Sequence, residues 1–333
     1  MRKVRIALIG LNKLSHAQPI VSSIKKQNDI FELAGYTLPE NEREKFPEIV
    51  AQLDGYKEMS LEEILNDSTM EAVAVETEEI YLTKYAALAA EHGKHIHMEK
   101  PGGTSLGEFE QLIETVKKNG TVFHTGYMYR YNPYVKELIQ KVKSGEMGEI
   151  ISVEAQMNCY HTAANRQWLE AFPGGILFFL GCHLIDLILQ IKGKPERIIP
   201  FHCCTGLDGV TAQDFEMAVF VYKNGVSFAK VNAAEVGGFA RRQLVVSGSK
   251  QTVELKPFER YTPGGLYTGM TEYHSEDWND TGKTENSSVY DRYDSMMAAF
   301  AAMVRGECEN PYTCDYELEL YKTILMACGE GKK

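Results

Sequence analysis

Short apolar runs alternate with amphipathic segments through the first 125 residues, and this rhythm restricts the fold more than any other property of the chain. Residues 4–9 form an apolar run that ends at Gly10. A helix carrying Ile20, Val21 and Ile24 on one side follows, with Pro19 in its first turns. Further strands are expected at 31–37, 71–75, 94–98 and 121–125. Between them come a charged helix from about Glu40 and a short one opened by the capping sequence Ser60-Leu61-Glu62-Glu63. Two more follow, one over 80–92 closed by Gly93 and one capped by Ser105 and Glu108 and ended by Gly120. Strand and helix in regular turn imply a parallel, doubly wound sheet.

In such a sheet ligands sit at the carboxyl ends of the strands. The stretch His97-Met98-Glu99-Lys100-Pro101-Gly102-Gly103 therefore stands out, because proline cannot continue a ladder and the strand must stop at Lys100. A lysine held there on rigid backbone is placed to touch a substrate. The first turn, where a dinucleotide fingerprint would have three glycines, has Gly10 followed by Asn12 and Ser15. Asparagine tolerates a left-handed backbone and serine is small, so the turn itself survives. Thr37-Leu38-Pro39 replaces the acidic residue expected after the second strand, Glu40 is the nearest carboxylate, and Arg43 reads as a solvated helix charge. Glu76-Thr77-Glu78-Glu79 places three carboxylates near where phosphates would lie. Like charges ~4 Å apart repel by about 1 kcal/mol in water and about 4 at an intermediate dielectric. These side chains either oppose a nucleotide or point into solvent at a helix start, where the dipole favours them.

Gly126-Tyr127-Met128-Tyr129-Arg130-Tyr131-Asn132-Pro133 leads into a second region. Domains are expected at 1–125 and 126–333, with the C-terminal helices free to pack back on the first. Pro133 begins a helix that Ser144-Gly145 ends, and a strand follows over 150–160. Trp168 to Gly175 is a turn-rich approach to a helix over 176–191, on which Phe179, His183 and Asp186 are spaced to share a face. Strands are expected at 197–203, 215–222, 226–233, 243–247 and 252–256, with Lys223-Asn224-Gly225-Val226 as a hairpin whose Asn-Gly suits a primed turn. Few helices cover these strands, which implies a mainly antiparallel sheet with one open face. An open apolar face asks for a partner, and a second copy of the chain is the economical one. The polar stretch 262–288 reads as a long loop, and two helices, about 289–304 and 316–328, close the chain.

A net charge of -11 would repel a phosphate backbone, which argues against nucleic acid. No apolar run is long enough for a bilayer, and a strand beginning at Val4 leaves no room for a signal peptide. The 7 cysteines are scattered, mostly in apolar segments, as expected of reduced, buried thiols in the cytoplasm. His92, His95 and His97 would be held on a helix end and alternate strand positions, so no metal is expected there. His202-Cys203-Cys204 reads as strand and core.

Four segments together resemble the Gfo/Idh/MocA family, the glucose-fructose oxidoreductase and inositol dehydrogenase group. They are the Gly10 turn, Glu99-Lys100-Pro101, Gly126 to Pro133, and Gly174-Gly175 through Gly181-Cys182-His183-Leu184-Ile185-Asp186-Leu187. The resemblance implies a Rossmann domain followed by an open-faced α/β sheet domain, a dimer or tetramer formed through that sheet, and often a cis bond before Pro101. It implies oxidation or reduction of a sugar, cyclitol or related polyol with NAD or NADP. Lys100 would orient the reacting hydroxyl and His183 would act as general base, which matches what removal of hydride and proton from C–OH requires. Candidates for the coenzyme are Gly10, Asn12, Leu14, Thr77, Glu99 and Lys100; candidates for the substrate are Tyr129, Arg130, Tyr160, Asn165, Trp168 and His183, with Asn158 as a further hydroxyl ligand. Many relatives have an aspartate four residues before the histidine, where this chain has Phe179. Asp186 would compensate, or Tyr160 or His161 would supply the acceptor. Two other readings follow from the departures: a carbohydrate-binding or regulatory homologue without coenzyme, and a sugar lyase, epimerase or glycosidase with a tightly held one.

Overall fold

The computed structural model describes residues 2–330. They divide into two compact units, one running up to Met128 and taking in Tyr293–Tyr321, the other made of Tyr129–Arg292 and the residues from Lys322 on.

In the first unit β1 (Val4–Ile9), β2 (Phe31–Thr37), β3 (Ala72–Val75), β4 (His95–Met98) and β5 (Phe123–Thr125) form one parallel sheet in the order β2-β1-β3-β4-β5. Strand order reverses between β1 and β3, so the switch point lies above Ile9 and Val75. Helices cover both faces of such a sheet, which is why β1 and β3 are near-continuous apolar runs rather than alternating ones. The connecting helices are α1 (Ala17–Lys26), α2 (Glu42–Lys45), α3 (Pro47–Val50), α4 (Leu61–Asn66), α5 (Leu82–Glu91) and α6 (Leu106–Asn119). Ser60 and Glu63 close the capping box that the sequence predicts. The single charged helix expected from about Glu40 is instead the two short helices α2 and α3, because Pro47 restarts the turn.

The second unit holds α7 (Pro133–Lys143), β6 (Ile150–Gln156), α8 (Ala163–Trp168) and α9 (Cys182–Lys192), then β7 (Arg197–Cys203), β8 (Phe215–Tyr222), β9 (Gly225–Asn232), β10 (Gln243–Gly248) and β11 (Thr252–Leu255). The small strands β12 (Arg260–Thr262), β13 (Gly265–Tyr267), β14 (Gly269–Tyr273) and β15 (Lys283–Asn286) follow. Eight strands build one sheet in the order β15-β14-β11-β10-β6-β9-β8-β7, antiparallel except where β6 meets β9. The chain ends in α10 (Asp294–Val304) and α11 (Cys314–Ala327).

Four further expectations need correction. The 262–288 stretch contains strands, not one long loop; β15 is exposed at all its residues, so no apolar alternation announces it. The β8–β9 hairpin turns through Lys223 and Asn224, with Gly225 paired to Tyr222 at φ 152, and is not a primed Asn-Gly turn. Cys203 and Cys204 are exposed, because β7 is an edge strand. A wide π-helical turn, Leu177–Gly181, precedes α9, so the α spacing assumed between Phe179 and His183 does not hold.

Candidate active site

In the first unit the ends of β1, β3 and β4 bring together most of the coenzyme candidates. Gly10 adopts φ +76, and a Cβ there would lie 2.2 Å from Thr77 Cγ2 and 2.7 Å from Glu42 Oε1, so only glycine fits. Asn12 is 1% exposed; its amide donates to Glu79 Oε2 (2.9 Å) while its Oδ1 accepts from the Leu14 N–H (3.0 Å). Ser15 Oγ accepts from the N–H of Ala17 (3.3 Å) at the start of α1. After β4, Glu99 is fully buried and Lys100 is 1% exposed, with 3.5 Å between Lys100 Nζ and Glu99 Oε1. The Lys100–Pro101 bond is cis. His16 Nδ1 lies 3.1 Å from the same glutamate oxygen.

The acids of this crevice do not behave as the sequence suggests. Glu76 and Glu79 are fully buried, not solvated. Burial first, then the neighbouring Glu99 and Glu79 charges, pushes the Glu76 carboxyl well above the usual range. Burial pushes Glu79 up to about 8 against the opposing pull of Lys100. Both shifts favour the protonated form, and Glu78 is paired to Lys45 at 2.6 Å. These acids are thus neither three free anions nor solvated at a helix start: two are buried and the third is paired. Glu99 remains a carboxylate: burial works against it, but His16 and Lys100 hold it below the ordinary value.

His92 ends α5 and His95 and His97 stand at alternate positions of β4, as the sequence predicts. His92 Nδ1 meets the Leu88 carbonyl oxygen (2.8 Å), His95 Nδ1 accepts from the Val122 N–H (2.9 Å), and His97 Nδ1 lies 2.8 Å from His124 Nδ1. Burial lowers His97 to about 4, so it is a neutral ring.

Among residues the sequence reading passed over, Glu42 is the most informative. Asn41, left-handed at φ 61, turns the chain so that Glu42 folds inward and is fully buried beside Gly10. Its Oε2 accepts from the Glu40 N–H (2.8 Å), and its Oε1 is buried with no hydrogen-bond partner. Burial raises this carboxyl, while N–H groups of Glu42, Glu40 and Leu11 favour the ionised form. The usable signal was an asparagine followed by an acid shortly beyond the second strand.

In the second unit the substrate candidates separate into two kinds. His183, at the start of α9, is 1% exposed and meets the Tyr129 ring edge-on at 4.9 Å. The buried Tyr129 phenol accepts from Arg242 Nη1 (3.0 Å), and burial followed by the Glu259 charge pushes it up to about 12. Glu259 in turn accepts from Arg292 Nε (2.9 Å) and Tyr290 (3.2 Å). Arg130 is buried in a two-pronged pair with Asp186, at 2.8 and 3.0 Å, and Gln190 also donates to Asp186 (2.9 Å). That pairing holds Arg130 and Asp186 in fixed orientations within the second unit. Trp168 sits in an aromatic cluster with Phe172 (4.7 Å) and Phe179 (5.1 Å). Asn165 is half-buried on α8 and Tyr160 is 62% exposed. Asn158 Oδ1 is buried without a partner, whereas its amide donates to Glu235. Burial lowers His161.

Two models of one family match this chain: an oxidoreductase family with an NAD-binding Rossmann fold over residues 4–127, and the GFO/IDH/MocA C-terminal domain over 135–254. The chain belongs to the Gfo/Idh/MocA family. It is 25% identical over 268 residues to the uncharacterized oxidoreductase ORF334 of Rhizobium meliloti, covering 80% of this chain and 79% of that protein. It is 31% identical over 204 residues to the scyllo-inositol 2-dehydrogenase (NAD(+)) of Bacillus subtilis, covering 60% and 57%. Other curated relatives are matched over 38–40% of their own length. Levoglucosan dehydrogenase, solved in complex with NADH and levoglucosan, superposes with a TM-score of 0.81 at 15% identity, covering 98% of both chains. As a Gfo/Idh/MocA oxidoreductase the chain carries the NAD-binding Rossmann domain of that family. The turn at the switch point fits such a coenzyme: Gly10 is left-handed at φ +76 and its position is closed to any side chain.

Proposed function

We propose that this protein is an NAD(P)-linked oxidoreductase acting at a hydroxyl-bearing carbon of a sugar, cyclitol or related polyol. The observation that carries the reading is Lys100, 1% exposed at the end of a sheet strand with its Nζ 3.5 Å from Glu99 Oε1. Gly10, Asn12, Leu14, Thr77, Glu42 and Glu99 would hold the coenzyme, which when bound accepts or returns the hydride. Lys100 donates to the substrate oxygen and stabilises the negative charge that grows there as the proton leaves. Glu99, 3.5 Å from Lys100 Nζ, orients the lysine. His183 takes the hydroxyl proton, its ring oriented by the edge of Tyr129 in place of the missing aspartate. Tyr160, Asn165 and Trp168 contribute to the polyol subsite, with Trp168 offering an apolar ring surface.

A homo-oligomer formed through the large sheet of the second unit belongs to the same reading. Phe201, Val219, Met217 and Phe228 lie on its unburied face, opposite the buried Ala218, Phe220 and Ala229. No helix among the described residues is long and apolar enough to cross a membrane, and we place the protein in the cytoplasm.

The test is a screen of inositols, aldoses and anhydrosugars with NAD and NADP, followed by the absorbance of reduced nicotinamide. Replacing Lys100 with methionine should cut turnover about 100-fold or more while coenzyme affinity changes less than threefold. Equal rates in the variant would remove Lys100 from the chemistry, and failure of both NADH and NADPH to bind at millimolar concentration would refute the coenzyme-linked reading.

A further inference from the structure

We infer that the polyol taken by this protein is an acid, a sugar or cyclitol bearing a carboxylate, and that Arg242 receives that carboxylate. The inference rests on the oxidoreductase reading above and narrows its substrate.

The starting point is an imbalance among arginines. In the second unit Arg130 has Asp186, Arg166 has Asp208 and Asp214, and Arg292 has Glu259. Arg242 is 7% exposed, yet no carboxylate among the described residues lies within ion-pairing distance of it. A guanidinium cannot shed its proton to escape burial, so an unbalanced one asks for an anion.

Arg242 is also held in place beside the proposed base. Strands β6 and β10 are paired as far as Gln156 and Gln243, and Asn158 and Arg242 lie just beyond that end of the ladder. The Arg242 N–H donates to the Phe239 carbonyl (3.3 Å) and its own carbonyl accepts from the Phe258 N–H (3.1 Å). Its Nε donates to the Asn158 carbonyl oxygen (3.1 Å) and its Nη1 to the Tyr129 hydroxyl (3.0 Å), with the Phe239 ring 4.6 Å away. These bonds leave guanidinium donors over. The same Tyr129 ring meets His183 edge-on. One tyrosine thus links the guanidinium to the imidazole, and a carboxylate on the first and a hydroxyl at the second belong to one small molecule.

The acids of the neighbouring loops are engaged elsewhere. Glu259 accepts from Arg292 and Tyr290, and Glu235 from Arg241 and the Asn158 amide. Local potential is positive: the His161 imidazole is pushed down by burial and then by the charges of Arg242 and Arg166.

A second unfilled capacity lies next to the first. Asn158 is fully buried and its Oδ1 has no donor, on the residue whose carbonyl Arg242 holds. A neutral polyol could fill only this acceptor. A hydroxy acid turns carboxylate oxygens to the guanidinium and a nearby O–H to Asn158, satisfying both. One guanidinium matches one negative charge, which favours a carboxylate over a phosphate ester carrying about −1.5 to −2.

The experiment compares initial rates of the full-length protein, with NAD and with NADP, on matched pairs: glucose and glucuronate, galactose and galacturonate, inositol and quinate. Glucose 6-phosphate is added as a second kind of anion. The best acid should exceed its neutral partner at least tenfold in kcat/KM. Arg242→Gln should lower that preference about tenfold or more, with the loss mostly in KM. Arg242→Lys keeps the charge without the planar fork and should lower it at least threefold. It stands in for Arg242→Gln if thermal melts show that variant unfolded. Arg260→Gln, at an exposed arginine of the same unit, should leave the preference within twofold. Neutral partners turned over as fast as their acids, or glucose 6-phosphate outrunning every acid, overturn the inference and leave the oxidoreductase reading intact. An unchanged preference in a folded Arg242 variant also overturns it. Coenzyme reduction with no member of the panel, acid or neutral, overturns both.

Discussion

Three buried acids of the first unit have no cation of their own, whereas most of the buried acids in the second lie beside guanidinium groups. Glu42, Glu76 and Glu79 are buried with carboxyl oxygens that no donor reaches, and their carboxyls are raised as a result. Asp186, Asp214 and Glu259 are equally buried but meet Arg130, Arg166 and Arg292. Glu216 is the second unit's counterpart to the first kind, pushed up to about 8 by burial. The contrast separates two uses of a buried charge. A paired carboxylate is a fixed part of the packing, since removing either partner strands the other. An unpaired one keeps its bonding capacity open, at a cost in stability that a ligand can offset.

The comparison can be broken most forcefully at Arg130. Arg130→Met should destabilise the second unit by about 3–5 kcal/mol in urea unfolding, because Asp186 loses both its bonds to the guanidinium. A loss below about 1 kcal/mol would show that the pair is not structural. Combining it with Asp186→Leu should recover part of the deficit.

A smaller effect with a definite pH signature is expected at Glu79. Its carboxyl is raised on folding from 4.5 to about 8, so the folded chain keeps a proton that the unfolded chain releases. The stability this provides is fully present below the unfolded value and is lost as pH rises toward the folded one, at up to roughly 1.4 kcal/mol per pH unit. Glu79→Gln should flatten the decline in urea midpoint across that window and change stability little at its acid end. Parallel slopes for the two proteins would place the titrating group elsewhere. The smallest change is Asn12→Ala, which removes the amide bond to Glu79 and should cost about 1 kcal/mol, read from the same unfolding curves.

Much of the first unit was legible because its signals are local. A strand buried on both faces is a continuous apolar run, Gly10 and Pro101 mark where strands stop, and Ser60 with Glu63 spells out a helix start. The burial of Glu42 was not legible, since it depends on a single left-handed asparagine between a strand and a four-residue helix. Nor could the protonation of Glu76 and Glu79 be read from spacing, because it follows from what surrounds them in space. The same limit applies to Arg130: a tyrosine-rich block suggests a sugar subsite, and only the fold supplies Asp186 as its partner. In the second sheet, the edge strand β15 carries polar residues on both faces, so the periodicity that marks β8 and β9 is missing from it.

Gly10 has a consequence for how related sequences are to be compared. Thr77 and Glu42 crowd the volume that any side chain at this position would enter. Selection for an intact seam between the first and third strands would thus preserve this glycine in a descendant that had abandoned nucleotides altogether. Its persistence in an alignment reports the fit of two neighbouring loops rather than the presence of a nucleotide.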